Sequence, residues 1–296
     1  MTVVLIVNPF ATHVTDERVA AVEEELGRVG PVETVRTERA GHATELVTDA
    51  CRRRSDAIVV FSGDGGFNEA LNGLHADVPI GFLPGGGASV LPRALGLPHD
   101  LAGAAAQVAD AIGARRTRRI TLGRVNGRRF GFAAGVGLDA EAVRRVDEMG
   151  RSSDGRRPGD LAFARAVVGA IASNRGHLES ALEVAGLGRA AFAFVANGSP
   201  YTYAKGIPLP LVPDAEFELG LDVVAPVRIR RRSIVWTAYA LLRGHPRAAE
   251  VLVGHDLDRI EIRCDAPLPL HADGEDLGDV EQAVFEAERD AVLVLV

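Results

Sequence analysis

Two glycine-rich stretches carry the first chemical signal. Ser62-Gly63-Asp64-Gly65-Gly66 follows an apolar run ending at Phe61 and precedes Asn68-Glu69, where a helical pattern opens. A glycine turn at the carboxyl end of a strand, feeding a helix N-terminus, turns backbone N–H groups and the positive end of the helix dipole toward an anion. The chemistry such a turn performs is phosphate binding. The construction recurs at Pro84-Gly85-Gly86-Gly87, after Ile80 to Leu83. Consecutive glycines alone are also an ordinary turn signal, and it is their repetition at successive strand ends that favours phosphate. The Gly-x-Gly-x-x-Gly that a dinucleotide oxidoreductase needs after its first strand is missing, because Asn8-Pro9-Phe10-Ala11-Thr12 stands there. Lys205 is the single lysine of the chain, which excludes a Walker loop and the usual protein-kinase lysine, so a nucleotide site must use backbone amides and arginines.

Loops of this kind need parallel strands to hold them. Apolar runs at Val3 to Val7, Val32 to Arg36, Ala57 to Phe61 and Ile80 to Leu83 alternate with helical patterns at Asp16 to Val29, His42 to Arg53 and Asn68 to Gly73. A helix tolerating Pro92 in its first turn and an alanine-rich helix over Leu101 to Ala114 follow. This cadence predicts a Rossmann-like α/β domain over residues 1–120. Beyond the arginines at 115–119 the pattern changes to hairpins: Arg119 to Val125 and Arg129 to Ala134 around Asn126-Gly127, then Leu178 to Val195 around Gly186-Leu187-Gly188. Further strands are expected at Phe217 to Val224, Arg259 to Cys264, Val280 to Glu286 and Ala291 to Val296, with helices near Ala140 to Met149, Leu161 to Ser173 and Ser233 to Arg243. The second domain, residues 121–287, is therefore expected to be mainly antiparallel. The polar stretch Arg151 to Asp160 reads as a mobile surface loop.

Composition narrows the function further. A chain of 296 residues that is 47% hydrophobic can bury two cores. Its net charge of -7 argues against a nucleic-acid partner. Arginine clusters at 115–119, 151–157 and 228–232 read as solvated faces or as contacts for anionic headgroups. Cys51 and Cys264 are isolated, which fits a reducing, cytoplasmic compartment. Residues 2–7 read as a first strand rather than a signal peptide, and no uncharged apolar run is long enough to span a bilayer. His42, His255 and His271 lack metal-ligand spacing and read as polar or packing residues.

Asn8-Pro9, Thr37 with Gly41-His42-Ala43, Gly63-Asp64-Gly65 with Asn68-Glu69 and Asn72-Gly73, and Pro84-Gly85-Gly86 with Ala94-Leu95-Gly96 occur in that order. Gly135-Val136-Gly137-Leu138-Asp139-Ala140, Pro213-Asp214-Ala215, Gly220-Leu221-Asp222 and Asp273-Gly274-Glu275 continue the series. Together they resemble the diacylglycerol kinase catalytic-domain family, related to sphingosine kinases and NAD kinases, over nearly the full chain. The resemblance implies a C-terminal β-sandwich domain, a ligand cleft between the domains, and a last strand near 288–296 that returns to the first. It implies ATP and Mg2+ as cofactors and a lipid alcohol such as diacylglycerol as substrate. Nucleotide contacts are implied at Asn8, Pro9, Phe10, Ala11, Thr12, Thr37, Gly63, Asp64, Gly65, Gly66, Phe67, Asn68, Glu69, Gly86 and Gly87. The family's general base falls on Glu275, with Asp273 beside it. A tight turn is expected to project both carboxylates into one cleft, although Asp-Gly also makes plain hairpin turns.

Departures from the family pattern bear on activity. At Gly66, Gly87 and Ser89 the family usually carries threonine, threonine or serine, and asparagine. Leu219 replaces an aspartate near a metal site, and the stretch before Asp222 is one residue short. A structural Mg2+ in the second domain is therefore not expected, while Asp64 is the expected neighbour of a Mg2+ that accompanies ATP. Peripheral membrane contact through Arg228 to Arg247, which combines arginines with Trp236, and a homodimer are both compatible with the sequence. A sphingoid base or other small alcohol as acceptor, or binding without turnover, are the competing readings.

Overall fold

A computed structural model describes residues 2–148, 178–204, 206–230, 236, 243–245 and 250–296. The chain divides into two compact units, Met1–Ile120 with Asp290–Val296, and Thr121–Arg289.

In the first unit, β1 (Val3–Val7), α1 (Asp16–Gly27), β2 (Val32–Arg36), α2 (His42–Arg52), β3 (Ala57–Ser62), α3 (Asp64–Gly73), β4 (Ile80–Pro84), α4 (Val90–Ala94) and α5 (Leu101–Gly113) succeed one another. The strands pair in parallel in the order β2-β1-β3-β4. β1 is apolar throughout and β3 is apolar up to Ser62, and both are buried on both faces, as a parallel sheet covered by helices requires. One face, with Leu5, Val59 and Phe61, packs on Val19, Val22 and Leu26 of α1 and on Ala105, Val108 and Ile112 of α5. On the other face the ring of Phe67 in α3 meets Phe82 edge-on at 5.3 Å.

The second unit contains most of β5 (Thr117–Val125), then β6 (Arg128–Phe130), β7 (Ala133–Val136), α6 (Leu138–Glu148), β8 (Leu182–Val184), β9 (Gly188–Ala190), β10 (Ala193–Ala196), β11 (Thr202–Ala204), β12 (Ile207–Leu209), β13 (Leu221–Pro226), β14 (Val251–Leu257), β15 (Arg259–Ala272) and most of β16 (Glu275–Leu295). Its strands pair antiparallel in the order β14-β13-β10-β7-β15-β16, while β8 joins β15 and β9. The inward residues Val136, Val195, Val223, Ile262 and Phe285 share one core. The last residues of β16 pair in parallel with β4 through Val294 and Ile80, inside the first unit.

Several expected boundaries move, each for a local reason. α3 begins at Asp64 rather than Asn68, since first-turn amides need no intrahelical partner and glycine is tolerated there. The strand expected over Arg129 to Ala134 breaks into β6 and β7 because the N–H groups of Gly131, Phe132 and Ala133 bond a carboxylate instead of a neighbouring strand. The strand expected at Phe217 starts at Leu221, since Leu219 closes a turn onto Glu216 and the Phe217 carbonyl accepts the Thr121 N–H. Val280 to Glu286 and Ala291 to Val296 belong to one strand, and the Arg259 strand runs on to Ala272 through register shifts. β11, β12 and β14 were not anticipated. The loop at Arg151 to Asp160 and the helix at Leu161 to Ser173 lie outside the described residues, as does most of Ser233 to Arg243.

Candidate active site

The Asn8–Thr12 turn and the two glycine loops lie at the carboxyl ends of β1, β3 and β4, where open α/β sheets bind ligands. Asn8 organises the first. Its Oδ1 accepts the Phe10 N–H at 3.0 Å, which makes the Asn8–Ala11 turn, and its Nδ2 donates to Ser62 Oγ at 3.1 Å. The N–H of Gly85 donates to the Ser62 carbonyl at 2.7 Å, and the N–H of His13 to the Gly85 carbonyl at 2.8 Å. Three strand ends are thereby tied together by backbone and one buried hydroxyl.

Close approach dictates the glycines. A Cβ on Gly86 would lie 2.8 Å from the Gly63 Cα, so the two loops touch backbone to backbone. A Cβ on Gly66 would lie 2.1 Å from Ser62 Oγ. The space a threonine would need at position 66 is therefore filled by the hydroxyl of Ser62, which sets a hydroxyl beside the turn from a neighbouring position. Around Gly87 nothing lies within 4 Å, so its lack of a side chain is not forced by packing. Ser89 adopts φ 45°, a left-handed conformation that asparagine tolerates better, and its Oγ bridges the N–H and carbonyl of Gly86 at 3.2 Å each.

Within the run Gly63 to Glu69, the structure separates lining from support. Gly63 to Gly66 are half-buried at the first turn of α3, which has no side-chain cap. Asp64 Oδ1 accepts the N–H groups of Val90 at 2.7 Å and Leu91 at 3.3 Å, so it caps α4 and links the two glycine loops. Phe67 is core, and Asn68 is fully buried with its carbonyl oxygens receiving Asn72 Nδ2. Glu69 caps α2 by accepting from Gly41 at 2.8 Å and Ala43 at 3.2 Å. The contacts expected at Phe67, Asn68 and Glu69 are thus scaffold: these side chains are occupied behind the loop. Thr37 is buried at the end of β2 with its N–H on the Val7 carbonyl, while Pro9, Phe10, Thr12 and Gly87 are exposed and Ala11 and Gly86 half-buried.

In the second unit, Asp273-Gly274 forms the two-residue turn between β15 and β16, with φ 48° and 77° and Ala272 opposite Glu275. Positive φ at both positions is what a type I′ hairpin asks of Asp-Gly. The expectation that both carboxylates project alike fails. Asp273 is 4% exposed, and its carboxylate accepts the N–H groups of Gly131 at 2.7 Å, Phe132 at 3.0 Å and Ala133 at 3.2 Å. Glu275 is instead half-exposed and ion-paired with Arg128 of β6. Next to it Asp276 is held below the usual carboxylate range by the Arg144 guanidinium, bonded at 2.9 Å and 3.1 Å.

One cluster escaped the sequence reading. His271 Nε2 lies 2.6 Å from Asp139 Oδ2, and the Tyr201 hydroxyl donates to the same oxygen at 2.5 Å. All three side chains are buried, and burial followed by the charge of Asp139 pushes the Tyr201 phenol well above its usual range. Asp139 belongs to the Gly135–Ala140 motif, but nothing in the spacing joins it to residues 201 and 271. It fastens β15 two residues before the Asp273 turn.

Among the described residues no group of three His, Cys, Asp or Glu side chains could hold a metal ion, and Asp64 has one oxygen committed to two amides. Near Leu219, the Asp222 carboxylate is 2% exposed on its side chain and bonded to His255 Nδ1 at 2.9 Å and 3.0 Å and to the Asp256 N–H at 2.9 Å. An imidazole and an amide occupy its oxygens, so a structural Mg2+ does not fit there.

Residues 2–125 match the family model of the diacylglycerol kinase catalytic domain, and residues 133–296, more than half of the chain, match that of the YegS C-terminal NAD kinase beta sandwich-like domain. This chain belongs to the diacylglycerol kinase catalytic-domain family. Curated members of the family similar to it include the diacylglycerol kinase of Bacillus subtilis (strain 168), 36% identical over 111 residues, 36% of this chain and 35% of that one. The diacylglycerol kinase of Staphylococcus haemolyticus is 38% identical over 104 residues, 33% of this chain and 30% of that one. The chain thus spans about a third of the length of these relatives. Solved structures share the fold over 99% of the chain: a diacylglycerol kinase from Bacillus anthracis (TM-score 0.72, 18% identity, 96% of that chain) and an NAD kinase from Archaeoglobus fulgidus in complex with ATP (TM-score 0.53, 16% identity, 93% of that chain). The fold class read from the sequence, a parallel α/β domain followed by an antiparallel sandwich-like one, is that of the family.

Proposed function

We propose that this family member is an ATP-dependent lipid kinase that moves the γ-phosphoryl group of MgATP to the hydroxyl of diacylglycerol or a closely related lipid alcohol. The observation that carries this reading is the Gly63–Gly66 turn, which opens α3 without a side-chain cap at the end of the central strand and lies against a second glycine loop. Its amides and the α3 dipole suit phosphate oxygens. Asn8 to Thr12, Thr37, Gly86 and Gly87 complete the nucleotide's surroundings. Mg2+ enters with the nucleotide as part of the MgATP substrate and spreads the transferring charge.

In the transfer, the acceptor oxygen bonds to the γ-phosphorus as the bond from that phosphorus to the β,γ-bridging oxygen breaks. The electron pair leaves with ADP, and the acceptor proton passes to the Glu275 carboxylate. Asp273 acts one step removed: by tying the 131–133 loop to the turn, it fixes where Glu275 begins.

The deciding experiment follows labelled phosphate from ATP to diacylglycerol in mixed micelles, comparing wild type with Glu275→Gln. The reading expects product from wild type and a loss of about 10²-fold or more in the variant, the usual worth of a positioned base. Product only with a sphingoid base or polyol would move the acceptor; ATP binding with no product from any acceptor would make the chain a binding protein.

A further inference from the structure

Glu275 and Asp276 are adjacent carboxylates in different surroundings. The register of the β15–β16 hairpin sets Ala272 opposite Glu275 and His271 opposite Asp276, so the two acids point to opposite faces. Helix α6 lies along the Asp276 face: its Asp139 meets His271 at 2.6 Å, and its Arg144 bonds Asp276 at 2.9 Å and 3.1 Å and pairs with Asp279 at 2.6 Å. On the Glu275 face the guanidinium of Arg128 meets the carboxylate, Nη2 to Oε2. Arg128 opens β6, a strand of three residues that is pinned to the β15–β16 hairpin at both ends. Ahead of it, Asn126 Nδ2 donates to the Gln282 carbonyl at 3.1 Å while Asn126 Oδ1 accepts the Val284 N–H at 2.9 Å. Asn126 and Gly127 take φ 47° and 90°, the positive pair a type I′ turn needs, which sets Arg128 opposite Val125. Behind it, the N–H groups of Gly131, Phe132 and Ala133 end on Asp273. The backbone that carries Arg128 is therefore fixed to the backbone that carries Glu275 from both directions in sequence.

We propose that Arg128 is a positioning residue for the phosphoryl transfer, one that aims the Glu275 carboxylate and holds it in the ionised form that takes the acceptor proton. The proposal rests on the lipid-kinase reading with Glu275 as its base. A half-exposed glutamate samples several rotamers, and most of them carry its oxygens away from a bound hydroxyl. A guanidinium at hydrogen-bonding distance selects one orientation and favours the charged carboxylate over the protonated acid. The proton that Glu275 takes from the acceptor then leaves to water, and the ion pair re-forms for the next turnover. The other ionisable groups around the turn have partners of their own: Asp273 its three amides, Asp276 and Asp279 the guanidinium of Arg144, and the buried His271 the carboxylate of Asp139. Removing the Arg128 charge changes what faces Glu275 and leaves those pairs in place.

The test compares wild type with Arg128→Gln, which drops the charge, and with Arg128→Lys, which keeps the charge and drops the planar fork. The pH dependence of kcat/KM is followed with MgATP and diacylglycerol in mixed micelles. Ionisation of Glu275 is read separately by NMR on the full chain carrying 13C at its glutamate carboxyls, the resonance being assigned by its loss in Glu275→Gln. In Arg128→Gln, kcat near neutral pH is expected to fall about tenfold or more, part of what a positioned base contributes, with KM for ATP within about twofold of wild type. The acid limb of the profile and the titration of Glu275 are expected to move together to higher pH. Arg128→Lys returns the acid limb to its wild-type position and recovers only part of kcat. Should Arg128→Gln not fold, the wild-type spectrum still decides, because a paired Glu275 titrates below the glutamates of the open surface. A purely structural arginine lowers the melting temperature and leaves both the acid limb and the Glu275 titration where they were, and that result overturns the proposal. So does an Arg128→Gln variant as active as wild type. Wild type that makes no product from any acceptor removes the kinase reading and this role with it, whereas wild-type turnover with an acid limb unmoved in Arg128→Gln removes this role alone.

Discussion

The carboxylate of Asp273 accepts the backbone N–H of Gly131 at 2.7 Å, although 142 residues separate them in sequence. With Phe132 and Ala133 also bonded, three consecutive amides between β6 and the start of β7 find one anion. A buried acceptor of this kind cannot be removed cheaply. Asp273→Asn retains one oxygen, loses the charge and turns an amide toward donors, so urea unfolding should show a stability loss of about 1–3 kcal/mol. An unchanged midpoint would mean that the 131–133 loop is held by something else.

Ser62 and Gly66 are predicted to be coupled. Gly66→Thr alone forces a Cβ to within 2.1 Å of Ser62 Oγ and should lower both stability and ATP affinity. Ser62→Gly clears that space. The double variant should therefore recover most of what Gly66→Thr loses, and a cycle of thermal melts measures the coupling. Strict additivity would show that the two side chains do not compete for the same volume.

Glu69 is predicted to support the nucleotide loop from behind. Glu69→Ala removes the acceptor for the Gly41 and Ala43 amides, at a cost of about 1 kcal/mol typical of a lost helix cap. ATP affinity measured by calorimetry should fall only modestly. A loss as large as that of a direct phosphate ligand would return Glu69 to the binding surface.

His255 gives stability a pH dependence. Its bond to Asp222 raises the imidazole above its ordinary value of 6.5, with Asp214 and Asp256 adding to the effect. A group whose folded value is raised stabilises fully below its unfolded value and ceases to do so as pH rises through the folded one. The melting temperature should thus decline from slightly acid to slightly alkaline pH, modestly because the imidazole is 44% exposed, and His255→Gln should flatten that slope. A variant with the wild-type slope would assign the dependence to other groups.

The parallel half of the fold is legible in the sequence because β1, β3 and β4 are short and nearly continuous apolar runs, each followed by a turn signal. β16 is not: its 21 residues mix Glu, Asp, Gln and Arg among the apolar ones, so the pattern shows two fragments where the backbone makes one strand. The glycine loops were readable as phosphate seats since backbone conformation leaves its mark as glycine. The division of labour within Gly63 to Glu69 was not, because capping by Asp64 and Glu69 depends on α4 and α2 arriving from elsewhere in the chain. Likewise His271 looked isolated because Asp139, its partner, lies 132 residues away.

Val294 pairs with Ile80, and residues 290–296 belong to the first compact unit. During synthesis β4 therefore leaves the ribosome well before the strand that covers its edge, with the whole second unit emerging in between. Until then the nascent sheet has an open apolar border, the kind of surface that chaperones recognise and that aggregates when left waiting. A fragment cut after residue 120 would keep every glycine loop and still lack that cover, so the portion that looks most like an independent nucleotide-binding domain is one this chain cannot finish without its own last residues.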